Sequence, residues 1–203
     1  MDTAAAGQPR PERGERADAA RNRRILISAA REILAEHGAD AITMDGLAER
    51  ARLGKGTVFR RFGTRPGIFQ ALLDDEERAF QAQVLSGPPP LGPGAPPLDR
   101  LIAYGKARVS FLIRHREIAR SALNGRDQAP AGTQTPMSRI HIRSLLLQMS
   151  LGAVDPDVLA VQLTGALDAP LLLYLSGGED APSVADRLGQ GWQDLVTRVC
   201  KAI

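Results

Sequence analysis

The 203-residue chain has the composition of a globular protein, with 43% hydrophobic and 24% charged residues, and it is long enough to bury a sizeable core. Its single cysteine and three scattered histidines show no zinc-site spacing and allow no internal disulfide, so we expect no metal, no other cofactor and a reducing cytoplasm. The net charge of +3 is uneven, because residues 1–70 hold 13 Lys or Arg against 9 Asp or Glu. That asymmetry suits a polyanionic partner, although a solvated surface of mixed charge would also explain it.

No segment is typical of a signal peptide or a membrane span. Residues 1–20 lack an apolar core. The most apolar stretch, residues 158–175, is interrupted by Gln162, Asp168 and Pro170 and is shorter than the ~20 apolar residues that a spanning helix needs. We therefore expect neither secretion nor a membrane partner.

The N-terminal third predicts an arm and four helices. Residues 1–17 combine Pro, Gly and alternating Arg and Glu, which predicts a disordered arm. A first helix is predicted from about residue 18 to residue 37, with Gly38 as its stop. Its apolar face consists of Leu26, Ala29, Ala30, Ile33 and Leu34. Thr43 can cap a second helix, a third follows a turn at residues 52–54 and runs from about residue 55 to 62, and Thr64 can cap a fourth that extends to about residue 84.

The remainder predicts a loop and five more helices. Six prolines and three glycines in residues 87–97 predict an extended linker or mobile loop that separates two parts of the chain. Further helices are predicted at about residues 98–112, 116–123, 136–149, 156–176 and 183–201, with a loop at 124–135. We expect an all-α protein of about nine helices, with a helix-turn-helix domain at 18–64 and a C-terminal helical domain at 65–203.

Residues 43–62 predict a DNA-binding helix-turn-helix. Two short helices joined by a three-residue turn pack at a steep angle and leave the second free to enter a groove. We expect cations and a hydroxyl to reach phosphates or guanine edges, an aromatic ring to meet a thymine methyl, and a glycine to allow close approach. These residues are Lys55, Gly56, Thr57, Phe59, Arg60 and Arg61. Phosphates on either side would be held near helix starts by Thr43, Thr64 and Arg65. The alternative is an ordinary helical hairpin with a solvated basic face.

From about Ile25 to Leu73 the sequence resembles the N-terminal domain of the TetR family of repressors. The resemblance runs from AAREILAEHGADAITMDGLAERARLGKGTVFRRF to GTRPGIFQALL. It is carried by Lys55-Gly56-Thr57, by Phe59 and Phe62, and by Thr64-Arg65. Four positions depart from the family's usual residues. Arg52 stands where the family has Gly, and Gly54 where it has Ser or Thr. Phe59 replaces the usual Tyr, and Arg61 replaces the usual His. DNA binding is compatible with these changes, whereas no operator sequence carries over.

The resemblance implies a homodimer. The last helix carries a continuous apolar stripe, and the helix at 156–176 is apolar almost all round. A four-helix seam between two copies would cover both, although packing inside one monomer would also account for the stripe. The expected interface residues are Leu159, Leu163, Leu188, Trp192 and Leu195.

The resemblance also implies a C-terminal pocket for an unknown small-molecule effector. The candidate lining residues are a mixed stripe of Tyr104, Arg108, Phe111 and His115, together with Met149, Asp168 and Tyr174. Each has an ordinary structural alternative: Met149 as core filler, Tyr174 as a satisfied core tyrosine, and Asp168 as the partner of an arginine such as Arg108 or Arg143.

Together with the helix-turn-helix, the resemblance implies a dimeric repressor that a ligand releases from DNA. Two recognition helices ~34 Å apart would read a palindromic double-stranded operator, and a ligand in the C-terminal core would change their spacing. The alternative is a constitutive or architectural DNA-binding protein, which would have a filled C-terminal core. We do not expect an enzyme, because the sequence has no Gly-rich phosphate loop, nucleophile elbow or metal-spaced cluster.

Overall fold

The described part of the chain is entirely helical. The computed structural model describes residues 12–123, 136–174 and 181–201. Its nine α-helices are α1 (Glu12–His37), α2 (Met44–Ala51), α3 (Lys55–Phe62), α4 (Arg65–Ser86), α5 (Pro97–Arg114), α6 (Arg116–Leu123), α7 (Pro136–Leu146), α8 (Pro156–Tyr174) and α9 (Ala181–Lys201). A single 3-10 turn, Ala39–Ala41, lies between α1 and α2, and no strand occurs in these ranges. The predicted all-α class is confirmed.

The chain forms two compact units. The N-terminal unit extends to Leu72 and the C-terminal unit begins at Leu73, so the division falls inside α4. The functional boundary predicted from the sequence, between residues 64 and 65, lies at the start of α4 and stays a prediction. Patterns along the sequence indicate where a helix starts, but they do not indicate which part of a long helix packs with which neighbours.

In the N-terminal unit, α1 packs on α2 and α2 on α3. The buried face of α1 consists of Leu26, Ile27, Ala29, Ala30 and Ile33. Gly38 ends the helix with a φ of 80°, a backbone conformation that favours glycine. The start of α1 differs from the prediction, because the helix begins at Glu12 and includes residues 12–17, which were assigned to a disordered arm. The Ala, Glu and Arg residues there are good helix formers, and residues 1–11 of that arm lie outside the described ranges.

In the C-terminal unit, α5 is the central helix. It contacts α6, α7, α8 and α9, and α7 also packs on α8. It approaches α9 closely at Gly105, where a Cβ atom would lie 1.9 Å from Nε1 of Trp192. The indole N–H donates to the carbonyl of Leu101 at 3.0 Å. Glycine at position 105 therefore allows the Trp192 ring to lie directly against the α5 backbone.

The Pro- and Gly-rich loop between α4 and α5 folds back on itself. The Gly92 N–H donates to the carbonyl of Pro88 at 2.9 Å, and Gly92 is buried. A Cβ at Gly92 would lie 1.8 Å from the carbonyl oxygen of Gly87, so only glycine fits there. The prediction of an extended linker separating two parts of the chain is wrong, because this loop lies within the C-terminal unit and closes a compact turn.

Some predicted ends differ or fall outside the described ranges. α7 ends at Leu146 rather than near Met149, because residues 147–149 form a turn in which the Met149 N–H donates to Leu146. The predicted loop at 124–135 and the helix end at residues 177–178 lie outside the described residues. None of the helices in the described ranges has the length and hydrophobicity required to cross a membrane.

Candidate nucleic-acid interface

Thr43 caps α2 as the sequence predicted. Its Oγ1 accepts a hydrogen bond from the Gly46 N–H at 3.0 Å, and its backbone is extended. The inward residues of α2, Leu47 and Ala48, are buried. The Thr43 side chain is exposed and its hydroxyl proton remains able to donate. A phosphate could therefore accept this hydrogen bond beside the N–H groups of a helix start.

The turn between α2 and α3 contains a strained residue. Arg52 has φ 53° and ψ 40°, the left-handed conformation that favours glycine. Its N–H donates to Glu49, and the N–H of Leu53 donates to Ala48, so two hydrogen bonds hold the turn. This conformation gives a physical reason for glycine at this position in the family that the sequence resembles.

α3 separates an inward side from an outward side. Val58 is fully buried, and Leu53 and Phe62 are half-buried. Phe59 is the large apolar exception, with 51% of its surface exposed. The outward residues of α3 are Lys55, Gly56, Phe59, Arg60 and Arg61, whereas Thr57 is half-buried. A Cβ at Gly56 would meet nothing within 4 Å, so this side of α3 is open to an approaching molecule.

The charges on the outward side of α3 are positive. Lys55 Nζ lies 2.8 Å from Oδ2 of Asp45, a pair that the sequence analysis missed. Both side chains are exposed, so the pair is weak and a phosphate could replace the carboxylate. Among the described residues, no acidic group pairs with Arg60 or Arg61. The outward side of α3 can therefore supply guanidinium groups to phosphates or to guanine.

α4 begins with the predicted cap and with an arginine in a different role. Thr64 Oγ1 accepts from the Gly67 N–H at 3.3 Å. Arg65 Nε donates to the carbonyl of Ile42, and its Nη2 donates to the carbonyl of Ala39, each at 2.8 Å. These bonds attach the start of α4 to the segment that leads into α2. Arg65 is thus already engaged by the protein at the position where a phosphate contact was expected.

The predicted pocket stripe on α5 is buried and internally paired. Arg108 is 1% exposed, and its Nη1 lies 2.6 Å from Oε2 of Glu77. The Tyr104 hydroxyl bonds to Ser138 Oγ at 2.7 Å. His115 Nε2 lies 3.5 Å from Oε2 of Glu76. Neither glutamate was predicted from the sequence, although Glu77 lies four residues after Leu73 and three before Phe80, on the apolar side of α4.

Aromatic rings and a half-buried carboxyl complete this polar cluster. The Arg108 guanidinium lies 5.1 Å from the Phe111 ring centroid and 5.6 Å from that of Phe80. Burial raises the pKa of Asp168, while the charge of Arg108 opposes that rise. Four of the predicted lining residues are therefore brought together, with Asp168 in electrostatic contact. Met149 is half-buried in the turn after α7, and the side chain of Tyr174 lies outside the described residues.

Tyr104 also lines a small cleft that includes α4 and α7. His141 faces this cleft and lies 4.7 Å from the Tyr104 ring, measured between centroids. The cleft volume of about 20 Å³ accommodates little more than one water molecule. Burial, with a smaller contribution from Arg100, lowers the pKa of His141 to about 4. Its Nε2 is buried and has no partner among the described residues.

The five residues predicted for the dimer interface differ in how far they are buried within the monomer. Leu159, Leu163 and Trp192 are at most 7% exposed within the monomer. These side chains already pack inside the C-terminal unit, which corrects their assignment to a surface between copies. Leu188 is half-buried, and Leu195 is 39% exposed. The exposed apolar residues on the neighbouring helix α8 are Val158 and Val161, at 53% and 54%.

Comparison with known proteins identifies the N-terminal domain. Residues 26–72 match the family model described as bacterial regulatory proteins, tetR family. The resemblance found in the sequence is confirmed. No functionally curated protein sequence matches the chain.

Solved structures share the fold over most of the chain. A TetR-family transcriptional regulator from Pectobacterium atrosepticum is similar with a TM-score of 0.68 and 19% identity, covering 91% of this chain and 97% of that one. A TetR/AcrR-family regulator from Thermobifida fusca has a TM-score of 0.58, 20% identity and coverage of 86% and 97%. TetR from Acinetobacter baumannii has a TM-score of 0.56, 16% identity and coverage of 85% and 93%. At these identities the similarity shows the fold alone.

Proposed function

We propose that this chain is a cytoplasmic repressor, because its residues 26–72 match the tetR family of DNA-binding transcriptional regulators. It binds a palindromic double-stranded operator as a homodimer and leaves it when a small molecule binds. Residues 18–64 provide DNA binding, and residues 65–203 provide effector binding and dimerisation. The observation that carries the proposal is the division of α3 into two sides. Its exposed side holds Phe59 among three cations, and its inward side holds the fully buried Val58.

The dimensions of α3 support insertion into the major groove. With its side chains an α-helix such as α3 is about 10–12 Å across, and the groove is about 12 Å wide. Lys55, Arg60 and Arg61 then reach phosphates or guanine edges, and Phe59 contacts a thymine methyl. Phosphate contacts set affinity and salt dependence, whereas base contacts set the sequence.

The test begins with selection of bound duplexes from random DNA by the full chain. Lys55→Ala combined with Arg61→Ala should reduce the slope of log affinity against log salt by about 0.9 for each phosphate that no longer meets a cation, on selected and scrambled duplexes alike. Arg114→Ala with Arg187→Ala removes two exposed cations of the C-terminal unit and is the matched control. Unchanged affinity of the α3 variant in a band-shift titration would contradict the proposed placement of α3.

Exposed apolar residues on α8 and α9 support the homodimer. These two helices pack together, and Val158, Val161 and Leu195 leave apolar surface uncovered. A second copy would bury this surface and set two recognition helices about one DNA turn apart. Val161→Glu should yield monomers in sedimentation analysis and weaken operator binding. Leu85→Glu, at a 60% exposed position on α4, should remain dimeric; equal dimer stability in both variants would exclude this interface.

A constitutive DNA-binding protein without an effector is the second candidate function. The internal pairing of Tyr104, Arg108 and His115 and the small volume of the neighbouring cleft favour it. A screen of small molecules for release of the selected duplex separates the two functions. Release accompanied by a raised thermal midpoint of the protein supports an effector. Its absence across a chemically diverse library supports constitutive binding.

A further inference from the structure

A groove in the N-terminal unit lies between α1 and α3. Its volume is about 430 Å³. Its polar walls are Asp18, Asn22 and Arg23 of α1 and Thr57, Arg60 and Arg61 of α3. The polar residues that α1 contributes precede residue 26, where the match to the tetR family begins, and Leu26 of the match adds an apolar contact to the same wall. Asp18, Asn22 and Arg23 therefore lie outside the segment that matches the family model.

The groove has the charge of a site for an anion. Among the wall residues that the structure describes, three are arginines and one is an aspartate. Asn22 and Arg23 are half-buried beside the gap, so their positions are restricted before any ligand arrives. Arg23 is already engaged by the protein, in part through Nη2, which lies 3.5 Å from the carbonyl of Ala71. A guanidinium has five N–H donors, so it can donate to a phosphate as well.

The position of the groove beside α3 identifies the anion. A helix about 10–12 Å across fills a major groove about 12 Å wide. An element that lies beside the inserted helix on its outward side then lies across one of the two sugar–phosphate strands that border the groove. α1 faces α3 across the gap, and the exposed Arg60 and Arg61 of the outward side of α3 line it, so the gap is where such a strand would pass.

We propose that this groove holds the sugar–phosphate backbone of the bound DNA, and that Asn22 and Arg23 of α1 donate to its phosphates together with Arg60 and Arg61. The proposal rests on the proposed function, because it requires α3 to lie in the major groove. It extends the DNA interface by a segment of α1 beyond the helix-turn-helix. Asp18, four residues before Asn22, faces the same backbone and weakens binding by repulsion.

Charge substitutions of opposite sign test the proposal. Fluorescence anisotropy of a labelled duplex, selected from random DNA by the full chain, is measured over a salt series, with a scrambled duplex beside it. Arg23→Gln should reduce the salt slope by about 0.9, equally on both duplexes. Asp18→Asn should tighten binding to both duplexes. Arg24→Gln, at the adjacent exposed position outside the groove walls, and Asp186→Asn on α9 are the matched controls and should match the wild type.

The outcomes separate this proposal from the proposed function. If the wild type bound no duplex, both would fail. If the wild type bound with a steep salt slope while Arg23→Gln and Asp18→Asn both behaved like their controls, only the groove proposal would fail. Asn22→Ala provides a further readout if Arg23→Gln unfolds, and it should weaken binding to both duplexes. If inorganic phosphate, substituted for chloride at equal ionic strength, stabilised the wild type but not Arg60→Ala, the groove would be a small-anion site and the proposal would be wrong.

Discussion

The guanidinium group of Arg65 donates to the carbonyl oxygen of Ile42, 23 residues earlier in the chain, at 2.8 Å. A second bond of the same length reaches Ala39, and the guanidinium carbon lies 5.0 Å from the centroid of the Phe69 ring. Ile42 is fully buried immediately before the residue that caps α2. Arg65 therefore fixes the chain at the entrance to the helix-turn-helix.

Arg65→Ala should destabilise the chain by about 2 kcal/mol, because two carbonyl groups lose a charged donor. Arg65→Lys should recover only part of this loss, since an ammonium group lacks the planar fork of donors. Chemical denaturation of the full chain measures both values, with Arg61→Ala as an exposed control. Wild-type stability in Arg65→Ala, combined with a salt slope for DNA binding reduced by about 0.9, would instead assign this arginine to a phosphate.

Arg52→Gly should stabilise the protein by about 1 kcal/mol. The left-handed conformation of Arg52 costs a residue with a Cβ about 1–2 kcal/mol, and part of that gain is offset by the greater freedom of glycine in the unfolded chain. Thermal unfolding checks the direction of the change. Gly63→Ala provides the converse comparison, because Gly63 has a φ of 69° and should lose stability. A lower midpoint for Arg52→Gly would show that the side chain contributes more than its backbone conformation costs.

Glu77→Leu should destabilise the protein by about 3–5 kcal/mol. The substitution leaves the charge of Arg108 buried without its carboxylate partner. The double variant Glu77→Leu with Arg108→Met should recover most of the loss, because it removes both charges and keeps apolar volume. Denaturant unfolding of the two single variants and the double variant measures the coupling. Additive losses would contradict an interaction between these two groups.

His141→Phe should reduce the acid sensitivity of the fold. The pKa of His141 is about 4 in the folded chain, against 6.5 for the ordinary side chain. Between those values the unfolded chain binds a proton that the folded chain does not, so stability falls as the pH falls from 6.5 to 4. The variant should lose about 1–2 kcal/mol less than the wild type across this window, after allowance for partial exposure. Stability measured at intervals of pH checks this, and the two curves should be parallel above about pH 7; parallel curves down to pH 4 would exclude the histidine as the cause.

Gly105→Ala should destabilise the C-terminal unit by about 3 kcal/mol. The added Cβ would lie within 2.4 Å of three atoms of the Trp192 indole, so α5 and α9 must separate. Gly189→Ala is the control on the opposite helix, since its Cβ would meet Lys106 at an ordinary 3.4 Å. That variant should retain or slightly raise the thermal midpoint because alanine favours a helix. Equal midpoints for the two variants would show that the indole moves away without cost.

Local features were predictable because their causes are adjacent in the sequence. The starts of α2 and α4 follow from the hydroxyls of Thr43 and Thr64, each bonding an N–H three residues later. The outward side of α3 likewise follows from helical periodicity and the inward position of Val58.

Longer-range features were not predictable, because periodicity does not identify partners. The bond from Arg65 spans 23 residues and that from Arg108 to Glu77 spans 31. The apolar stripe on α9 indicated a surface that requires cover, but it could not distinguish another helix of the same chain from a second copy. Trp192 is covered by α5 of the same chain. It packs on Gly105, which lies 87 positions earlier and has no side chain that would indicate the contact.

The contact between Gly105 and Trp192 also provides an intrinsic optical probe. Trp192 is the only tryptophan in the sequence, so the chain has one indole emitter, held against α5 in the C-terminal unit. Its emission reports the melting of that unit, whereas circular dichroism records helix loss in both. A single shared transition would show that the two units unfold together, and two separate transitions would measure their independent stabilities without any label.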